Sequence, residues 1–159
     1  AACRLQDLLH RFLLVGRAGR MSRYRQAVEA LAHRWGLRPS EFGFTGHLPW
    51  EDLLACYHAA DLFISMSEHE GFSVPLVESM LMAVPVMAYR AGAVPDTLGG
   101  AGMLFSEKNY EELAEMVHLL VTDERLSTAV VAAQRKRVER FRPQRVEAEL
   151  LRHIEEVCS

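Results

Sequence analysis

Apolar residues along this chain follow two rhythms, short unbroken runs and runs that return every three or four positions. Phe12–Val15 is an unbroken run closed by Gly16, which predicts a buried parallel strand feeding a tight turn. Over residues 22–35, Tyr24, Val28, Leu31 and Trp35 recur at helical spacing before a stop at Gly36. Residues 41–45, ending at Gly46, predict a second strand, and Pro49 opens a helix carrying Leu53, Leu54 and Tyr57. Residues 61–66 predict a third strand centred on Leu62, Phe63 and Ile64. The helix expected next, over 74–83, has Ser73 as its cap and Pro75 in its first turn. A fourth strand over 85–89, a loop over 90–102 and a short fifth strand over 103–105 complete the alternation. From there the pattern predicts three helices. Their stripes are Leu113, Met116, Val117 and Leu120, then Leu126, Val130, Ala133 and Phe141, and after Pro143 the set Val146, Leu150, Ile154 and Val157.

Strands and helices alternating at this length predict a doubly wound α/β fold, a parallel sheet covered by helices on both faces, with a helical C-terminal tail. Ligands of such folds bind beyond the carboxyl ends of the strands, so the loops after Val15, Thr45, Ser65 and Tyr89 are where chemistry belongs.

Composition narrows the function classes. With 159 residues, half of them hydrophobic and a quarter charged, the chain suits one domain with a substantial core. A formal net charge of -3 gives no general attraction for nucleic acid or for an anionic membrane surface. The basic run over 135–137, with Arg140, Arg142 and Arg145 beyond it, is interleaved with Glu139 and Glu147 and reads as a solvated helix face. Cys3, Cys56 and Cys158 have neither a disulfide framework nor zinc-ligand spacing, which fits a reduced cytoplasm. No apolar run approaches the roughly 20 residues of a transmembrane span. The first residue is not methionine and the first clear element begins near Phe12, so an excised piece of a larger enzyme is expected, with membrane association of the intact enzyme left open.

The most informative stretch runs from Ser67 to Glu78, from the third strand across the ligand edge into a helix. Glu70 lies in the loop and Glu78, eight positions on, lies a little over a turn into the helix, whose side chains lean back toward its N-terminus. Both carboxylates can thus face one ligand. Between them Gly71 allows close backbone approach, the free amides around Ser73 to Leu76, with the positive end of the helix dipole, form an anion site suited to a diphosphate, and Gly71, Phe72, Ser73 and Val74 are candidate donor contacts. Taken alone, the two glutamates are equally a cap and a solvated face.

The Glu70 to Glu78 spacing resembles the Glu-x7-Glu motif of retaining GT-B glycosyltransferases, especially glycosyltransferase family 4, also called group 1. Leu13-Leu14-Val15-Gly16, Phe44-Thr45-Gly46, Tyr57 to Asp61, Ser67 to Met80, Pro85-Val86 and Gly92-Ala93-Val94-Pro95-Asp96 follow as that family's landmarks in order. The resemblance implies a Rossmann-like domain, the C-terminal half of a GT-B fold, with Glu70 beside the sugar of the donor and Glu78 on its ribose hydroxyls. Ser73, Ala83 and Ala93 stand where the family often has glycine; all are small, so the backbone path is expected to survive. The resemblance implies an Arg and a Lys that neutralise the donor diphosphate, on a segment preceding the strand that begins here at Phe12, and that segment is expected to lie outside this chain. Donor affinity is expected to be reduced accordingly.

Other loops carry weaker signals. Gly16-Arg17-Ala18-Gly19 lacks GxGxxG spacing and serves equally as a turn or a ligand contact, Arg17 meeting either phosphate or water. The resemblance places the nucleobase near Thr45-Gly46-His47-Leu48, against Leu48, and a plain turn is the alternative. His47 and His69 read as solvated loop histidines. The 92–96 loop either faces the donor or joins a strand to a helical turn. No Asp-x-Asp occurs, so metal-independent transfer is expected, with no cofactor. The resulting expectation is a single nucleotide-sugar-binding domain over 1–159, inactive without an N-terminal acceptor domain. Helix 143–157 would cross to that half, and its apolar stripe could otherwise drive self-association. A nucleotide-sugar epimerase of the same architecture and a non-catalytic nucleotide-binding or interaction module are the alternatives.

Overall fold

The computed structural model describes residues 11–16 and 22–158. They form two compact units, one up to Ala59 and one from Ala60.

In the N-terminal unit β1 (Phe12–Val15) pairs in parallel with β2 (Phe42–Gly46), Phe12 opposite Phe42 and Leu14 opposite Phe44. The register shifts after Leu14, so Val15 lies opposite Gly46, and the Gly16 amide donates to the Gly46 carbonyl at 3.1 Å. Helix α1 (Ser22–Arg34) joins the two strands, as parallel pairing requires. Helix α2 (Trp50–His58) has Glu51 and Asp52 in its first turn and His58 in its last, the charge order its dipole favours, and it buries Tyr57. One expectation fails here. The residues of β1 are 38–44% exposed rather than buried, because the strand has a ladder partner on one edge among the described residues.

The C-terminal unit holds the larger core. Strands β3 (Phe63–Ser65), β4 (Val86–Tyr89) and β5 (Met103–Phe105) form a parallel sheet in the order β3-β4-β5. Alternation along the central strand sends Val86 and Ala88 to one face and Met87 to the other. Val86 and Ala88 pack with Leu76, Val77 and Met80 of α3 (Val74–Leu81), Val94 and Leu98 of α4 (Val94–Leu98) and Val138 of α6 (Glu124–Val138). Met87 packs with Phe105 and with Leu113 and Leu120 of α5 (Tyr110–Thr122). Helices on both faces explain why β4 is apolar at every position. The architecture is the doubly wound, Rossmann-like α/β arrangement that the alternation predicts.

Helix ends follow local chemistry. Asn109 caps α5 by accepting from the Glu111 amide at 3.1 Å, and Asp123 caps α6 by accepting from the amides of Arg125 and Leu126 at 2.9 and 3.0 Å. The fully buried Gln134 of α6 donates to the Val84 carbonyl at 2.8 Å and accepts from the Val86 amide at 3.0 Å, satisfying the backbone where β4 begins. A 3-10 turn, Glu139–Phe141, then leads into α7 (Pro143–Cys158). Among the described residues no helix is long and apolar enough to cross a membrane.

Three local expectations need correction. Residues 90–102, expected as a loop with a helical turn as one reading, contain α4, with Pro95 in its first turn and Gly99 ending it in the left-handed conformation. Helix α3 ends at Leu81, because Ala83 takes a φ of +58°. Phe141, read as part of the α6 stripe, lies in the 3-10 turn.

Candidate functional site

The loop from β3 to α3 carries Glu70, Gly71, Phe72 and Ser73, followed by Val74 as the first residue of α3 and Glu78 one turn later. It leaves the carboxyl end of β3, where a parallel sheet presents its ligands. Ser73 occupies the N-cap position but does not act as the expected cap. Its φ of +63° is left-handed and its side chain makes no capping bond. A serine that caps sits in extended backbone, from which its hydroxyl reaches the amides of the first turn; left-handed geometry removes that reach. Ser73 and Ala83 are the non-glycine residues with positive φ among those described, and they stand at two of the positions where the family often has glycine. The glycine-like path is therefore kept with a Cβ in place, at a cost of about 1 kcal/mol each.

The backbone around Gly71 is held from one side. The Glu70 carbonyl accepts from the Ala93 amide at 2.9 Å, and the Phe72 carbonyl accepts from Thr97 Oγ1 at 2.7 Å. A Cβ at Gly92, whose φ is +52°, would collide with the Glu70 carbonyl, so this approach requires glycine. In a trans peptide the N–H points opposite to the C=O. With both carbonyls engaged by the 93–97 segment, the amides of Gly71 and Ser73 are turned away from it. Among the described residues the amides of Gly71, Phe72, Ser73 and Val74 make no hydrogen bond. The expectation of free amides from Ser73 to Leu76 is corrected at its far end, because Pro75 brings no amide of its own and the Leu76 amide is taken by the Ser73 carbonyl at 3.0 Å. A row of unpaired donors at a helix N-terminus is an anion site in waiting.

Charges nearby are paired. Lys108, in the turn after β5, donates to Glu68 at 2.5 Å and lies 4.7 Å from the centre of the Tyr89 ring. That hydrogen bond, with the lysine charge behind it, holds the Glu68 carboxyl below the usual carboxylate range and raises Lys108 in turn. His47 and His69 are exposed. No group of three or more His, Cys, Asp or Glu suited to a metal ion occurs among the described residues.

The remaining sequence-derived residues belong to the N-terminal unit. Gly16 closes β1 against Gly46, Leu48 is half-buried just beyond β2, and Arg17 lies outside the described residues. The basic run corrects another expectation. Arg135 and Lys136 are exposed, but Arg137 is half-buried and donates through Nε to the Thr97 carbonyl at 2.9 Å and through its terminal nitrogen to the Asp96 carbonyl. Burial, and then the neighbouring Arg140, lower its pKa. Thr97 and Arg137 were invisible as site residues because their partners lie far along the chain. The signal that could have revealed α4 was Pro95 followed by Gly99-Gly100, proline just inside a helix and glycine just past it.

Known proteins share this arrangement. The family model for glycosyl transferases group 1 matches residues 2–123. The serotype-specific mannosyltransferase WbdA of Escherichia coli is 31% identical over 99 residues, 62% of this chain and 12% of that protein. The 2-deoxystreptamine N-acetyl-D-glucosaminyltransferase of Streptomyces fradiae is 32% identical over 126 residues, 77% of this chain and 28% of its own. The crystal structure of Anabaena HepE in complex with UDP-glucose superimposes with a TM-score of 0.76 at 26% identity, covering 91% of this chain and 40% of that one. The chain thus spans less than half the length of each of these relatives. With the matched residues taking in both sheets and the whole Glu70 to Glu78 loop, this chain belongs to the group 1 glycosyl transferases.

Proposed function

We propose that this chain is the donor-binding part of a retaining, metal-independent glycosyltransferase, and that its ligand is a nucleoside diphosphate sugar. The observation that carries the reading is the set of unpaired amides from Gly71 to Val74, at the N-terminus of α3 and flanked in sequence by Glu70 and Glu78. The diphosphate would lie on those amides, Glu78 would take the ribose hydroxyls, and Glu70 would lie beside the sugar. The complex of HepE with UDP-glucose supports this ligand class. The relatives are named for different sugars, so the proposal stops at the class.

Donors fixed before the reaction suit the departing diphosphate, on which negative charge grows as the bond to the sugar breaks. Backbone amides and a helix dipole meet that charge without reorganising. The acceptor site would come from a further domain, and the exposed apolar face of α7, Val146, Leu150, Ile154 and Val157, is where that domain would pack. The chain alone would bind donor and not transfer sugar.

Calorimetry with nucleoside diphosphates and their sugars tests the reading. The expected result is binding by the wild-type chain and a loss of at least about tenfold in Glu78→Ala, as for a charged hydrogen bond removed. Absence of binding by wild type, or equal binding by the variant, would overturn the assignment.

A further inference from the structure

The segment that supports the Glu70 loop is itself supported from the far end of the chain. Helix α4 has five residues, too few to be stable by its own hydrogen bonds. Its last carbonyls, on Asp96 and Thr97, would be orphans at a helix C-terminus, and Arg137 of α6 donates to both. A Cβ at Gly99 would come within 2.7 Å of that guanidinium, so the glycine leaves room for Arg137 to lie across the helix end. The same guanidinium lies 5.2 Å from the centre of the Phe141 ring, which packs edge-on against Phe72 at 5.5 Å. The contacts close into a ring: Phe72 to Thr97 through the hydroxyl, Thr97 to Arg137 through the carbonyl, Arg137 to Phe141, and Phe141 back to Phe72. Thr97 is 3% exposed, so its hydroxyl has no bulk water to replace the Phe72 carbonyl.

We infer that Thr97 and Arg137 are positioning residues for Glu70: Thr97 holds the Phe72 carbonyl, Arg137 secures the segment whose Ala93 amide holds the Glu70 carbonyl, and together they aim the loop's amides and its carboxylate at the ligand. The inference rests on the donor reading of Glu70, and it goes beyond it by assigning the aim of that residue to side chains 27 and 67 positions later in the chain. Neither side chain touches the ligand. The brace acts on the amides under the diphosphate and on Glu70 beside the sugar, so its loss should weaken the bare nucleotide and weaken a nucleotide sugar further.

Two readouts on the chain test this with Thr97→Val, Thr97→Ser and Arg137→Met. The first is hydrogen exchange at the Ala93 amide, which donates to the Glu70 carbonyl, referred to the Phe63 amide, which donates to Pro85 within the sheet. Thr97→Val and Arg137→Met should speed exchange at Ala93 by about tenfold, the worth of one hydrogen bond, and leave Phe63 unchanged. Thr97→Ser, which keeps the hydroxyl, should restore the wild-type rate. The second readout is the ratio of affinities for UDP-glucose and UDP, which should fall in Thr97→Val and recover in Thr97→Ser. Unchanged exchange at Ala93 in both disruptive variants would overturn the inference, as would equal acceleration at Ala93 and Phe63, which would mean that these residues merely hold up the whole unit. Wild-type chain that binds neither nucleotide would refute the donor reading instead, and the exchange readout would still decide the brace.

Discussion

Strand β1, Phe-Leu-Leu-Val, and strand β4, Val-Met-Ala-Tyr, are equally apolar runs of four residues, each in a parallel pair and each followed by a turn. Yet the residues of β1 are 38–44% exposed, whereas Val86, Met87 and Ala88 of β4 are at most 1% exposed. The contrast extends to the two units. Among the described residues, Tyr57 is the buried apolar side chain of the N-terminal unit, and every other member of the buried core lies between Leu76 and Val138. What separates them is neighbours. β4 has a strand on each edge and helices on each face, while β1 has one strand beside it among the described residues. Apolarity qualifies a strand for burial, and a layer on each side accomplishes it.

The sharpest way to break the comparison is to empty matched positions in the two units. Leu76→Ala, in a fully buried site, should cost roughly 2–5 kcal/mol in urea unfolding of the C-terminal unit. Leu31→Ala on α1, at a residue 52% exposed, should cost no more than about 0.5 kcal/mol. Equal costs would mean that the N-terminal unit is as tightly packed as the other.

A smaller effect of either sign is expected from one substitution made twice. Ala83→Gly should stabilise by about 0.5–1 kcal/mol, because the residue already has a φ of +58° and relief of that strain exceeds the entropy glycine adds to the unfolded chain. Ala30→Gly, on the exposed face of α1, should destabilise by about 1 kcal/mol. Thermal denaturation of the two variants reads the signs directly, and a destabilising Ala83→Gly would show that its left-handed backbone costs nothing.

The smallest effect concerns ion pairs. Those described in the N-terminal unit are local, Arg25 with Glu29 and Arg38 with Glu41, whereas Glu68 and Lys108 are 40 positions apart. Pairing lowers the folded pKa of Glu68, so its contribution is present above the unfolded carboxylate value, near pH 4, and is lost as pH falls through the lower folded value. Glu68 is exposed and Lys108 only half-buried, so the change should be slight and should shrink in salt. An NMR titration should place the Glu68 midpoint below the ordinary glutamate value in wild type and higher in Lys108→Met. A midpoint indifferent to Lys108 would remove the pair from the account.

The glutamate loop was legible as a family landmark because its residues are local. Glu70, Gly71, Ser73 and Glu78 lie within nine consecutive residues between a strand and a helix, and their order carries the family resemblance. Helix α4 was left as one of two readings of the 92–96 loop because five residues make barely more than one turn, too short for a periodic stripe. Ser73 was misjudged because residue type suggests a cap while backbone conformation decides it. Arg137 was assigned to a solvated face because charge patterning along one helix says nothing about the carbonyls of another.

Alternating patterns, turn residues and an ordered set of motifs thus determined by themselves the strand order along the chain, the parallel α/β class and the family resemblance, since each depends on residues a few positions apart. Tertiary structure alone decided which strands are enclosed, that the carbonyls of Glu70 and Phe72 are held by α4, and that Arg137 secures α4 from the other end of the unit. Those outcomes depend on groups 20 to 70 residues apart meeting at hydrogen-bond distance, and no local pattern encodes a partner that only folding brings near.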